Sequence, residues 1–214
     1  MTSLSQKLLW EELAEKDAIY YIDTKLGRDA DEKKFRESGE ADYKKLVADD
    51  PLVRGRGVIM DFGCGTGRLT EFMEKDFVGV IGVDISKEML RQAEERLGNK
   101  VILIETDGYK IDFSSFFVDV VLANLVFPHM KEREMVESNF AEIRRALVPG
   151  GIFKVYMKND RGLERDNKLS KWWNGITYTL EDAYDLANRH NFEVLQHKYI
   201  NKRKTNYWLW LKAV

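Results

Sequence analysis

The stretch Gly57-Val58-Ile59-Met60-Asp61-Phe62-Gly63-Cys64-Gly65-Thr66-Gly67-Arg68 decides the fold. It begins as an apolar run typical of a buried strand and continues into a loop with glycine at every second position. A helical segment over Arg68–Lys75 follows. Glycine lets the backbone turn sharply and lets a ligand approach without a Cβ atom in the way. Between a strand and a helix, such a loop predicts a cofactor-binding site.

The spacing of these glycines excludes two common nucleotide-binding loops. A nicotinamide or flavin fingerprint needs a third glycine or alanine in G-x-G-x-x-G/A, a position held by Arg68 counting from Gly63 and by Thr70 counting from Gly65. A Walker loop needs Gly-Lys-Ser/Thr, where this chain has Gly67-Arg68-Leu69. The G-x-G-x-G spacing therefore indicates a different cofactor.

Strands and helices alternate after this loop. Nearly continuous apolar strands separated by amphipathic helices predict a parallel sheet that is covered on both faces. The next predicted strands are Phe77–Val83, Val101–Glu105, Val118–Asn124 and Ile152–Met157, and the predicted helices are Lys87–Leu97, Glu132–Leu147 and Leu180–His190. Ser86 and Thr179 are predicted N-caps. Two last strands, Phe192–Ile200 and Thr205–Lys212, have so short a link that they must pair antiparallel.

The first fifty residues are predicted to form helices that precede the sheet. Apolar residues recur at helical spacing from Ser5, Ser38-Gly39 interrupts the pattern, and Glu40–Val47 resumes it. We divide the chain into an N-terminal helical extension or lid, residues 1–50, and a sheet domain, residues 51–214. The predicted fold class is α/β: a Rossmann-like, seven-stranded, mostly parallel sheet with an antiparallel C-terminal hairpin and N-terminal helices.

Composition limits the class of protein. The chain has 214 residues, a single cysteine (Cys64) and three widely spaced histidines, so an internal disulfide is impossible and no metal site is expected. No apolar run approaches a membrane span, and Glu11 interrupts what a signal peptide would need, which predicts a cytoplasmic protein. The net charge of −2 argues against strong nucleic-acid binding. Residues 151–214 nevertheless hold 12 basic and 7 acidic side chains, an excess that either is solvated surface or meets an anionic substrate.

Two acidic residues follow predicted strands. Asp84 lies 17 residues after Gly67, where a carboxylate can accept hydrogen bonds from both hydroxyls of a ribose. Asp107 follows the third strand and either accepts from the exocyclic amino group of a base or is an ordinary turn residue before Gly108. Ligands of open α/β sheets bind outside the carboxyl ends of the strands, which places both acids near the predicted cofactor.

Five motifs in a fixed order give the chain a family resemblance. They are Asp61–Gly67, Val80–Asp84, Asp107-Gly108, Asp119–Asn124 and Leu147–Gly151. Together they resemble class I S-adenosylmethionine-dependent methyltransferases, over a span from about Arg56 to the C-terminus. Phe35-x-x-Ser38-Gly39 and Val126–His129 further resemble a branch of small bacterial and archaeal members whose substrates are mostly unassigned.

The resemblance implies a role for each matching residue. S-adenosylmethionine would be the cofactor and S-adenosylhomocysteine the product. The loop would hold the methionine part through Asp61, Gly63, Cys64, Gly65 and Gly67, with Cys64 as a small filler. Asp84 would hold the ribose, Ile85 and Met89 would flank adenine, Asp107 and Gly108 would meet its amino group, and Asn124 would line the methyl-donor pocket.

The sequence leaves the catalytic group open. His129, just past the fourth strand, is either a general base or a packing residue. Trp172-Trp173 form either a wall over the substrate or packing at the sheet edge. Trp10, Tyr20 and Tyr21 are predicted to face the sheet domain, and Phe35–Gly39 to lie nearest the methyl donor as part of a lid. The alternative is an extension that is a permanently packed buttress.

The predicted function is transfer of a methyl group to an oxygen, nitrogen or sulfur nucleophile on a small molecule. A methyltransferase for tRNA or protein and a non-catalytic cofactor-binding module remain alternatives. An aminopropyl transfer is disfavoured because Asn124–Met130 contains no acidic residue for a polyamine. Asn124-Leu125-Val126-Phe127 lacks the two prolines of the Asn-Pro-Pro-Tyr box, which argues against a planar amino group as acceptor.

Overall fold

A computed structural model describes residues 3–55, 57–113, 117–159 and 175–214. Seven strands in it form one sheet in the order β3-β2-β1-β4-β5-β7-β6. The strands are β1 Val58–Phe62, β2 Gly79–Asp84, β3 Ile102–Glu105, β4 Val118–Ala123, β5 Leu147–Lys158, β6 Phe192–Tyr199 and β7 Asn206–Ala213. The predicted number of strands and the order in which they follow one another along the chain are confirmed.

Strand direction also agrees with the prediction. β1 to β5 pair in parallel, whereas β7 lies antiparallel between β5 and β6. The chain leaves β1 toward β2 and β3 on one side and returns to β4 on the other, so the strand order reverses between β1 and β4. Such a reversal opens a crevice at the carboxyl ends of the two strands, where open α/β sheets bind ligands.

Six α-helices flank this sheet in the described parts of the chain. They are α1 Ser3–Ile22, α2 Glu32–Tyr43, α3 Thr70–Met73, α4 Lys87–Leu97, α5 Arg133–Ala146 and α6 Leu180–Arg189. The Ser86 hydroxyl accepts from the N–H of Met89 at the start of α4, and Thr179 forms a capping box with Asp182 at the start of α6. Both predicted N-caps are therefore confirmed.

Two predicted helix boundaries are wrong. Helix α2 continues through Ser38-Gly39 into a π-helical turn at Lys44–Ala48, so this pair does not separate two helices. A Cβ atom on Gly39 would lie 2.4 Å from the carbonyl oxygen of Arg68, which shows that the glycine allows close packing of α2 on the loop. After the glycine loop, regular α-helix covers only Thr70–Met73 and not the whole of Arg68–Lys75.

Apolar contacts also join the extension to the sheet domain. Ala14 and Ala18 of α1 form a small apolar cluster with Met89 of α4. The segment after α2 contributes Leu46 and Val47 to the core on one face of the sheet. These contacts bring the N-terminal residues over the carboxyl ends of the strands. Within the described ranges, no helix is long and apolar enough to cross a bilayer.

Candidate cofactor and acceptor site

A cavity of about 400 Å³ opens at the carboxyl ends of β1, β2 and β4. Its walls come from the loops after these strands, and helix α1 with the turn that follows it completes them. The predicted residues among its lining are Trp10, Tyr21, Gly63, Cys64, Gly65, Asp84, Ile85, Met89, Gly108, Asn124 and His129. Residues separated by more than a hundred positions in the sequence thus meet at the edge where a ligand was expected.

The glycine loop shapes one wall through its backbone. The N–H groups of Gly63 and Cys64 both donate to the carbonyl oxygen of Val83, at 2.7 and 3.0 Å, which folds the loop over the end of β2. Gly63 and Gly65 have φ angles of +79° and +55°, a region that disfavours residues with a Cβ atom. A Cβ atom on Gly63 would also lie 2.2 Å from Val126 Cγ2. Sterics therefore require glycine here.

Asp84 closes the same wall from the end of β2. Its Oδ2 accepts from the N–H of Gly65 at 2.8 Å, and its Oδ1 accepts from the N–H of Ser86 at 3.0 Å. Burial raises the pKa of Asp84, and these N–H donors act against that increase. A carboxylate has about four acceptor positions, and the N–H groups of Gly65, Ser86 and Ile85 do not fill them all, so acceptor capacity remains for a ligand hydroxyl. The two loops thereby present an oriented carboxylate to the cavity.

Asp61 and Gly67 lie behind this wall rather than in it. The Asp61 side chain is buried, and its Oδ2 accepts from the hydroxyl of Thr70 at 2.6 Å. Burial raises its pKa to about 6, although the Thr70 hydroxyl and the charge of Arg68 oppose the shift. A Cβ atom on Gly67 would lie 2.8 Å from Leu97 Cδ1, so this glycine serves the packing of α4.

Asp107 does not lie in the cavity wall. Its carboxylate points to the surface, where Oδ1 accepts from the N–H groups of Tyr109 and Lys110 at 2.8 and 2.7 Å. Of the two alternatives for Asp107, this arrangement is the ordinary turn residue before Gly108. Its neighbours Thr106 and Gly108 do line the cavity, so the segment lies at the cavity but the Asp107 carboxylate does not.

His129 and Trp10 both line the cavity and contact each other. Their rings meet edge to face with centroids 5.2 Å apart, which joins the loop after β4 to helix α1. Tyr21 lines the cavity from the same helix. Tyr20 instead packs under Arg28, whose guanidinium carbon lies 4.1 Å from the ring centroid.

The predicted position of Phe35–Gly39 at the methyl donor is wrong. Phe35 is fully buried under the guanidinium of Arg96, 5.2 Å from its ring centroid, and the segment does not line the cavity. The parts of the extension that line the cavity are one side of α1, residues 23–25, Asp42 near the end of α2, and the turn at Lys45 and Leu46. Trp172-Trp173 lie outside the described residues.

The sequence did not indicate a second wall, formed by Asp23, Asp42, Arg68, Tyr156 and Trp208. We call it the composite wall, and the wall of Gly63, Cys64, Gly65, Asp84 and Ile85 the glycine-loop wall. The buried Arg68 guanidinium lies 2.9 Å from Asp42 Oδ2 and 3.5 Å from Asp23 Oδ2. The Tyr156 and Trp208 rings pack with centroids 5.3 Å apart. Since these residues come from five separate segments, no local motif marks them.

Comparisons with known proteins agree with this geometry. Residues 60–155 match the family model described as a methyltransferase domain. An uncharacterized methyltransferase of Bacillus licheniformis is 34% identical over 129 residues, 59% of this chain and 57% of that protein. A trans-aconitate 2-methyltransferase of Rhodopseudomonas palustris is 35% identical over 133 residues, 59% of this chain and 48% of that protein. The chain spans about half the length of such curated relatives.

Solved structures show the same fold over nearly the whole chain. The magnesium protoporphyrin IX methyltransferase of Synechocystis, with bound S-adenosylhomocysteine, is 16% identical with a TM-score of 0.68, and the match covers 97% of this chain and 100% of that one. The chain thus carries a match to a methyltransferase domain over residues 60–155 and shares its overall fold with this solved methyltransferase.

Proposed function

We propose that the protein transfers the methyl group of S-adenosylmethionine to a nucleophile on a small molecule. The observation that carries the proposal is the glycine-loop wall, in which a backbone without Cβ atoms lies next to an oriented carboxylate. Relatives named for small substrates, trans-aconitate and magnesium protoporphyrin IX, support the class of acceptor. The single cysteine, Cys64, is buried, and we propose the cytoplasm as its location.

The cavity has the surfaces that this cofactor needs. The backbone of Gly63, Cys64 and Gly65 would contact the methionine part, and the free acceptor positions of Asp84 would take the ribose hydroxyls. Ile85 and Met89 would flank the adenine ring with apolar surface. Asn124, at the end of β4, would line the space next to the sulfonium.

The composite wall is where we place the acceptor, because the glycine-loop wall is taken by the cofactor. It offers an aromatic surface from Tyr156 and Trp208 and the polar ends of Asp23, Asp42 and Arg68. The cofactor supplies an activated methyl group, so the protein's task is to align the acceptor and exclude water. His129 lines the cavity and is the group we assign to remove a proton from an acceptor that arrives protonated.

Calorimetry with S-adenosylhomocysteine tests the cofactor assignment. Replacing Asp84 by alanine removes a charge-assisted pair of hydrogen bonds, and we expect affinity to fall about 10- to 100-fold. Asp185→Ala, on the exposed side of α6, is the matched control and keeps full affinity. Unchanged binding by a folded Asp84→Ala variant would remove the assignment. Turnover of S-adenosylmethionine across a panel of metabolites, tRNA and protein then identifies the acceptor class.

A further inference from the structure

Two buried acceptor atoms on cavity residues have no hydrogen-bond partner. They are Oε1 of Gln6, a residue 5% exposed, and Oδ1 of the fully buried Asn139. Buried polar atoms in folded proteins nearly always have a partner. Of the five unpartnered buried side-chain atoms in the described parts of the chain, these two belong to residues that line the cavity. Both therefore indicate a donor that arrives with a ligand.

The surroundings of Asn139 fix which end of its carboxamide faces the cavity. Its Nδ2 donates to the carbonyl oxygens of Gly108 and Met135, both at 2.7 Å. Carbonyl oxygens accept but do not donate, so the nitrogen must occupy this position and the oxygen is left without a partner. The arrangement places an acceptor beside the segment that follows β3.

Gln6 approaches the same segment from helix α1. One turn earlier, the hydroxyl of Ser3 donates to the carbonyl oxygen of Asp107, and one turn later Trp10 lines the cavity. A Cβ atom on Gly108 would contact Ser3 Oγ and Ile85 Cδ1, at 2.8 and 3.1 Å. Helix α1, the loop after β2 and the loop after β3 therefore meet here.

We propose that the carboxamides of Gln6 and Asn139 recognise the exocyclic amino group of the cofactor's adenine. The inference rests on the proposed function, in which Asp84 holds the ribose and the glycine loop holds the methionine part. The base then lies on the β3 side of Asp84, between apolar side chains. The adenine amino group has two N–H donors, one for Gln6 Oε1 and one for Asn139 Oδ1. Asp107 is not available for this contact, because its carboxylate caps a surface turn.

The test compares S-adenosylhomocysteine with its analogue that has hypoxanthine in place of adenine. The analogue presents a carbonyl oxygen where adenine has the amino group and carries its N–H on the neighbouring ring nitrogen, so its oxygen would face the two acceptor oxygens. We expect the native protein to bind the adenine form about 10- to 100-fold more tightly by calorimetry. Gln6→Met keeps the length of the side chain and should reduce this preference about tenfold. Asp107→Asn, the matched control, should keep it in full.

Asn139→Leu is the second variant, and its melting temperature shows whether the loop at Gly108 survives the loss of two backbone contacts. Equal affinity of the native protein for the two compounds would overturn the inference and leave the proposed function intact. The inference would also be overturned if Asp107→Asn lost the preference for adenine while Gln6→Met kept it. Asp107 would then be the residue that recognises the amino group. No binding of S-adenosylhomocysteine by the native protein would overturn the proposed function itself.

Discussion

The glycine-loop wall and the composite wall of the cavity are built in different ways. The first consists of short segments that directly follow β1 and β2, and its shape depends on backbone angles that only glycine tolerates well. The second depends on side chains from five segments, which are held by buried ion pairs and aromatic contacts. Substitutions in the two walls should therefore have different effects on binding and on stability. Substitutions in the first wall should remove binding from a folded protein, whereas substitutions behind the second should lower its stability.

The largest expected effect concerns the buried ion pair behind the composite wall. Lys154 of β5 donates to Asp50 Oδ2 and to the carbonyl oxygen of Leu46, both at 2.7 Å. Replacing Lys154 by methionine leaves the Asp50 carboxylate buried with only neutral donors, among them Trp210 Nε1 at 2.6 Å. Breaking such a pair costs about 3–5 kcal/mol. For a chain of this size we expect a melting temperature lower by roughly 6–20 °C.

Lys212→Met is the matched control for this experiment. Lys212 lies on neighbouring β7 and pairs with Glu193 at 3.1 Å, but both side chains are about half exposed. A surface pair of this kind contributes about 1 kcal/mol or less. Equal melting temperatures for the two variants would show that the composite wall does not depend on Asp50. Asp50→Asn combined with Lys154→Met should recover part of the lost stability, because no charge then stays unpaired.

The next effect concerns the glycine-loop wall and is a loss of binding. Gly65→Val puts a branched side chain at a φ of +55°, with its Cβ 3.0 Å from Ile22 Cδ1, inside the space assigned to the cofactor. We expect affinity for S-adenosylhomocysteine to fall at least about 100-fold by calorimetry, or about 3 kcal/mol. Gly55→Val is the control, since Gly55 has a φ of +70° but no atom within 4 Å of a Cβ.

Comparing Gly65→Val with Gly55→Val separates the effect of backbone strain from the effect of a side chain that fills the cofactor space. Gly55→Val bears similar strain in an exposed turn, so it should lose stability but no affinity. If both glycine variants bound S-adenosylhomocysteine like the native protein, the loop would not hold the cofactor. Native protein that bound reduced nicotinamide dinucleotide instead would overturn the cofactor class altogether.

The contrast between the walls also explains what the sequence could predict. The glycine loop, the end of β2 and the cap of α4 are local features, and the residues that form them are adjacent in the sequence. Arg68 is also adjacent, but its role depends on Asp23 and Asp42, whose approach is set by the packing of the extension. The same packing keeps Gly39 inside a helix where local propensity predicted an end.

The smallest effect concerns the extension, which the sequence predicted to be a lid. The structure divides it into two parts. Helix α1 and residues 23–25 reach the cavity, whereas α2 reaches it only through Asp42 near its end and keeps Phe35 fully buried away from it. We expect S-adenosylhomocysteine to slow hydrogen exchange about tenfold over residues 10–25 and to leave residues 32–40 unchanged. Equal protection of residues 10–25 with and without ligand would leave the buttress as the correct description.

Glu11 provides a way to weaken the contact between α1 and α4 without touching the cavity. Its Oε1 accepts from the N–H of Lys87, and its Oε2 from the N–H of Glu88 and the hydroxyl of Ser86, so α1 covers the N-terminus of α4. Burial acts to raise the pKa of Glu11, but the hydrogen bonds outweigh it and hold the pKa below its ordinary value. A lowered folded-state pKa stabilises docking at pH values above the ordinary pKa, and this contribution is lost as pH falls through the folded-state value.

Glu11→Gln should therefore speed exchange over residues 10–25 in the ligand-free protein, by an amount typical of a lost helix cap, about 1 kcal/mol or roughly fivefold. Its effect should disappear in acid, where the native carboxylate is protonated as well. Glu12→Gln, the exposed neighbour on the same helix, should leave exchange unchanged at every pH. If Glu11→Gln exchanged like the native protein at neutral pH, the contact with α4 would not control the position of α1. The apolar cluster of Ala14, Ala18 and Met89 would then be what holds the helix over the cavity.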